Sequence, residues 1–255
     1  MNNILENKYL KYKNKYLSLQ IIQNGGKNIK YELFKKIKNI DDNSIEINEI
    51  LGNKKNDKCL LIISGFSLSS YDKNYNTLFE YYTHKIDKSL FKKIYIIKFK
   101  DDDEFSIAKL HSSFFDSSNN ILDPKLENNL YKKLASIIKS KLKIKKKLTI
   151  LAKSAGGGVG IYLANMIYKK INKLLLFAPG VGNINKDKKL QLKLDESKII
   201  VGWNNEDTKV KYDNIWPILG KLLSNTTVNF FNKDTNNKID TQHEINSQFI
   251  ELIYN

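Results

Sequence analysis

The stretch Leu148–Ala164, LTILAKSAGGGVGIYLA, holds a local contradiction on which the reading of the whole chain turns. Leu148 to Leu151 is a short apolar run with the character of a buried strand, and Val159 to Tyr168 reads as a helix. Yet four glycines, Gly156, Gly157, Gly158 and Gly160, crowd the point where that helix must begin. Each glycine inside a helix costs about 1 kcal/mol relative to alanine. A serine, Ser154, held on a turn too tight for larger neighbours would account for Gly156, while Gly157, Gly158 and Gly160 would let the helix lie close against the sheet.

Outward from this stretch, short apolar runs alternate with helical patterns. Tyr31 to Phe34 and Ile45 to Ile50 read as an opening pair of strands, followed by Leu60 to Ser64, Ile94 to Phe99, Leu148 to Leu151, Leu174 to Phe177, Ile199 to Val201 and Val228 to Phe231. Helical patterns fall near Tyr75 to Ile86, Leu126 to Leu142, Val159 to Lys170, Ile215 to Leu223 and Glu244 to Ile253. Buried strands separated by helices predict an α/β protein, a mostly parallel central sheet with helices on both faces. No internal repeat and no domain boundary is evident after residue 30.

Composition narrows the classes. The chain has 255 residues, long enough for one large α/β domain, and a formal net charge of +16. Such charge invites a nucleic-acid reading, but all 43 basic residues are lysine, and arginine is the side chain suited to bidentate phosphate and guanine contacts. The lysine, asparagine and isoleucine bias equally fits an AT-rich coding sequence. No run approaches the roughly 20 apolar residues of a membrane span, and the start lacks the charged-then-apolar order of a secretory signal, so the expectation is an intracellular, soluble protein. The one cysteine, Cys59, lies in the strand-like CLLIISG and reads as a buried, inert thiol. Asp101 to Glu104 are consecutive acids that do not converge on one point without a shaped loop, so they read as a solvated turn and no metal is implied.

In an open parallel sheet, sites form at the carboxyl ends of the strands. Three chemically capable groups occupy such positions in chain order: Ser154, an acid in the run Gly202 to Asp207, and His243 before the last helix. Among the acids Asp207 is favoured, with adjacent Glu206 as the alternative and Asp213 a poorer third. His84 lies within a polar and aromatic helical pattern, and His111 lies in a Ser- and Asp-rich stretch where it could line a pocket. Phosphate-binding templates fail: Lys153-Ser154 precedes the glycines where a P-loop has them after, and a G-x-G-x-x-G frame begun at Gly156 ends on Ile161.

The run Ala152-Lys153-Ser154-Ala155-Gly156, followed by GGVGIYLA and by LLLFAPG, resembles the nucleophile elbow, elbow helix and next strand of the α/β-hydrolase fold. Alanine stands in place of the family's first glycine. ISGFS, residues 63 to 67, is similar to its oxyanion turn, with Ser64 where many members carry histidine. The resemblance covers roughly residues 30 to 255. It implies a Ser154-His243-Asp207 triad, an oxyanion hole made of the backbone N–H groups of Phe66 and Ala155, and hydrolysis of a small acyl substrate, ester or thioester, with no cofactor. The short stretch between Phe177 and Ile199 implies a small or absent lid, with Phe66, Phe114, Phe115, Trp203 and Val181 as apolar pocket lining. The competing expectation is a catalytically silent binding module that keeps the same fold.

Residues 1 to 26 stand apart from this pattern, ahead of a hydrolase domain at 27 to 255. Leu5, Tyr9, Tyr12, Tyr16 and Leu19 form one apolar helical stripe that ends at Asn24-Gly25-Gly26. Such a helix could dock on a protein partner or pair with itself. NKYLKYKNKYLSLQ followed by NGG also resembles an N-terminal element of proteins from giant DNA viruses, which implies a viral origin and residence in the host cytoplasm or the virion.

Overall fold

The computed structural model describes residues 30–66, 86–102, 105–114, 123–142, 147–182, 184, 187, 190–232 and 245–254. The proposed appendage helix and all but the last residue of the expected helix at Tyr75 to Ile86, His84 included, lie outside these residues. The chain divides into two compact units, Met1–Asn39 and Ile40–Asn255.

In the first unit, residues 30–39 are helical, designated α1. The expected strand at Tyr31 to Phe34 is therefore corrected. Leu33 and Ile37, four residues apart, are the buried members of this segment, whereas Tyr31 and Phe34 are exposed. That spacing places both apolar side chains on one face of a helix. The alternation read as a strand was too short to decide between the two periods.

In the second unit a seven-stranded sheet runs in the order β1-β3-β2-β4-β5-β6-β7. Its strands are β1 (Ile45–Leu51), β2 (Cys59–Ile63), β3 (Lys93–Phe99), β4 (Leu148–Lys153), β5 (Ile171–Phe177), β6 (Ile199–Asn204) and β7 (Val228–Phe231). Only β1 is antiparallel, pairing Ile45 with Phe99 through Leu51 with Lys93; the remaining ladders are parallel. All six residues of β4 are buried, as expected of a central strand covered on both faces.

The helices of this unit are α2 (Ile107–Ser112), α3 (Pro124–Lys141), α4 (Ala155–Met166), α5 (Tyr212–Leu219) and α6 (Ser247–Glu251). The start of α3 is fixed by Pro124 at a first-turn position and by Asp123, whose carboxylate accepts from Lys125 N at 2.9 Å. One sheet face receives α4: a Cβ on Gly160 would lie 2.7 Å from the Ala152 methyl and near Ile150 and Leu174. The opposite face receives α6, whose Phe249 ring lies 5.0 Å from Phe177 and against Gly202. Strand alternation separates the two sets, because Ala152 and Leu176 point one way while Lys153 and Phe177 point the other. Between β5 and β6 the described residues contain no α-helix.

Candidate active site

Ser154 joins β4 directly to α4. Its backbone has φ 53° and ψ −135°, one of two non-glycine residues with positive φ among those described, the other being Ala178. The conformation is held from three sides. Ser154 N donates to Phe177 O at 3.2 Å, and its carbonyl accepts from Gly157 N at 2.8 Å and Gly180 N at 2.6 Å. The end of β5, the loop that follows it and the first turn of α4 thus fix a residue that would otherwise leave this region of backbone space.

The glycines following Ser154 serve different neighbours. A Cβ on Gly156 would collide with the backbone carbonyls of Ser64 and Ile63, the latter at 2.5 Å, so the elbow abuts the end of β2. Gly158 admits the ring of Tyr131 from α3, and Gly157 admits Pro179 from the loop after β5. The sequence offered helix-to-sheet approach for all three later glycines, and only Gly160 fills that role. On the other side of the turn, a Cβ on Gly65 would lie 3.0 Å from Ser154 Cβ and 3.2 Å from its Oγ. The turn Ser64-Gly65-Phe66 and the N-terminus of α4 therefore both adjoin the serine hydroxyl. The first amides of a helix have no intrahelical acceptor, which makes the Ala155 end of α4 suited to a negative charge.

Asp207 follows β6 and is 7% exposed. Its Oδ1 accepts from Lys209 N and Val210 N, both at 2.9 Å, so the carboxylate is oriented by the backbone. The loop is closed by Trp203, whose Nε1 donates to Val210 O at 2.7 Å. Glu206 and Asp213 are exposed. His243 lies outside the described residues. The segment that carries it leaves β7 at Asn232 and returns at Asn246, and these two ends are joined by Asn246 Nδ2 donating to Asn232 O at 2.8 Å. Asn205 Nδ2 donates to Asn232 Oδ1 at 2.8 Å, tying the same anchor to the loop that bears Asp207.

Two expectations need correction. Phe66, Phe114, Trp203 and Val181, offered as pocket lining, are 2% exposed or less and belong to the core; Phe115 lies outside the described residues. Cys59 is only half-buried at the start of β2, where burial raises its thiol pKa and so suppresses the thiolate. Asp102 accepts from Phe105 N at 2.8 Å and pairs with Lys100 at 3.1 Å, a capped turn.

A polar cluster that the sequence did not reveal sits behind the turn at Gly65. His111 on α2 has Nε2 3.0 Å from Glu127 Oε1, and the same carboxylate oxygen accepts from the Tyr131 hydroxyl. Glu127 and Tyr131 are four apart on α3 and both are buried. Burial, then the neighbouring Glu127 charge, holds the Tyr131 phenol well above its ordinary pKa, so it stays a donor. The four-residue spacing was visible in the sequence. The link to His111 was not, since nothing local ties residue 111 to residue 127.

Comparison with solved structures gives the class of this architecture. The chain is similar to the Bacillus cereus carboxylesterase (14% identity, TM-score 0.53, 82% of this chain and 92% of that one). It is also similar to YahD, solved with malic acid (15%, TM-score 0.52, 82% and 96%). A third likeness is Atu2452, a protein of unknown function from Agrobacterium tumefaciens (13%, TM-score 0.51, 84% and 96%). No family model and no curated relative matches the sequence. With its sheet order and its strand-to-helix serine turn, the chain has the α/β-hydrolase fold. No described helix is long and apolar enough to cross a membrane.

Proposed function

We propose that the chain is a serine acyl hydrolase that cleaves a small ester or thioester through Ser154, His243 and Asp207. One observation carries the reading: Ser154 holds φ 53° between β4 and α4 with its Oγ beside the Gly65 turn. A serine kept for packing gains nothing from that strain, whereas a nucleophile gains exposure and an adjacent amide. In this mechanism Ser154 Oγ attacks the acyl carbon while its proton passes to His243, and the carbonyl electron pair moves onto oxygen, facing the N–H groups of Phe66 and Ala155. Collapse expels an alkoxide or thiolate that takes the proton back from His243. Water then attacks the acyl-serine with the same base, releasing the acid and restoring the hydroxyl. Asp207 keeps the imidazole oriented. The tie between Asn205 and Asn232 supports this role, since it holds the residue after β7, from which the chain continues toward His243, against the acid loop.

The competing reading, a catalytically silent module recruited through its N-terminal segment, is favoured by one feature: Lys153, directly before Ser154, is only 7% exposed. Turnover of short-chain p-nitrophenyl esters and acyl thioesters separates the two. Ser154→Ala and His243→Ala are expected to lower kcat by about 10⁵ to 10⁶, and Asp207→Asn by about 10⁴. Glu206→Gln is expected to match wild type. Equal turnover by wild type and Ser154→Ala overturns the proposal.

A further inference from the structure

The cluster of half-buried His111 with buried Glu127 and Tyr131 touches both elements that form the proposed oxyanion hole. The Tyr131 ring fills the notch left by Gly158 on the elbow helix and lies 6.0 Å from the ring of Phe66. The His111 ring meets Phe66 edge-on at 5.1 Å and stacks on Tyr131 at 6.1 Å. Phe99 of β3 closes the remaining side of Phe66 at 4.8 Å, leaving that ring 2% exposed. Glu127 joins the two polar ends, accepting from the Tyr131 hydroxyl and bonded to His111 Nε2 through the same oxygen. Its second oxygen lies against Gly182, where a Cβ would collide with the carboxylate. Gly182 has φ +51° and belongs to the loop in which Gly180 N donates to the Ser154 carbonyl.

These contacts form a closed circuit from the elbow helix through Tyr131, Glu127 and His111 to Phe66. We infer that Tyr131, oriented by Glu127 and His111, is a positioning residue that sets the distance between the Phe66 turn and the N-terminus of α4. The catalytic consequence rests on the serine-hydrolase reading; the positioning of the turn does not. The ring supplies the spacing and the hydroxyl fixes its height, because a phenol with no partner could slide along the groove beside Gly158. Tyr131→Phe keeps the ring and removes only the anchor. A two-donor hole tolerates little displacement: a misplacement of about 1 Å can cost about a hundredfold in rate.

Two readouts on one set of proteins test this. Hydrogen–deuterium exchange of the peptide from Leu60 to Phe66 reports the turn, and the rate of Ser154 modification by a fluorophosphonate reports the chemistry. The comparison uses wild type, Tyr131→Phe and Ile138→Ala, the last being a fully buried position two turns further along α3 that destabilises without touching the circuit. Tyr131→Phe is expected to speed exchange in that peptide and slow Ser154 labelling roughly tenfold or more, while Ile138→Ala leaves both near wild type. In ester turnover the loss falls on kcat, with KM unchanged. Faster exchange in Tyr131→Phe with no labelling of wild type keeps the positioning role and discards the serine hydrolase. Wild-type exchange in Tyr131→Phe, or equal effects in Ile138→Ala, overturns the positioning role whatever the labelling does. Should Tyr131→Phe fail to fold, His111→Leu removes the second donor to Glu127, keeps bulk against Phe66 and is read by the same criteria.

Discussion

Ser154 occupies a conformation that glycine would adopt more readily. Positive φ on a residue with a Cβ costs about 1 to 3 kcal/mol, partly offset in a Ser154→Gly variant by about 0.5 to 1 kcal/mol of extra backbone entropy in the unfolded chain. Ser154→Gly is therefore expected to melt at the same temperature as wild type or a few degrees higher while losing all turnover, and a clear fall in Tm contradicts the strain. Gly65→Ala tests the other side of the turn. Its methyl would press on Ser154 Cβ and Oγ at 3.0 and 3.2 Å, so activity should fall far more than thermal stability, read as initial rate beside a melting curve. At this scale the sequence was informative about residue type and weak about choice. It pointed to Ser154 and to an acid near residue 207, but Asp207 and Glu206 are adjacent in the chain. Burial and two backbone donors are what distinguish them.

Elements carry these residues to one end of the sheet. The acid loop depends on Trp203, which leaves β6 fully buried and anchors Val210 through its indole N–H. Trp203→Phe removes that donor from the part-buried Val210 carbonyl, at an expected cost of about 0.5 to 1.5 kcal/mol. Denaturant titration measures it, and kcat should fall further than stability alone explains because Asp207 loses its support. The strands were legible because each is a run of apolar residues long enough to be buried on both faces. The opening strand was misread for a physical reason: four residues at Tyr31 to Phe34 cannot distinguish a period of two from a period of four, and Ile37 completes the helical face. The His111, Glu127 and Tyr131 circuit was invisible for another reason, namely that one buried carboxylate joins two successive helices across 16 residues, a separation that no helical or strand period connects.

For the molecule as a whole, the order of strands was not available from the chain, because apolar runs specify burial and not neighbours. The fold class followed from alternation of strands and helices, and the pairing of antiparallel β1 with β3 came only with the structure. The division of the chain into Met1–Asn39 and Ile40–Asn255 bears on recruitment. Deleting Met1 to Gly26 is expected to leave ester turnover within about twofold of wild type and Tm nearly unchanged, since the deleted residues fall in the other compact unit and a compact unit with its own core can fold alone; loss of folding would assign that segment to the hydrolase unit. The central claim concerns Ser154 itself, and the most direct measurement is fluorophosphonate treatment of the purified protein followed by peptide mass spectrometry, with Ser154→Ala and His243→Ala in parallel. An adduct confined to Ser154 and dependent on His243 is the predicted result. A folded wild-type protein that takes no adduct at Ser154 would contradict the account.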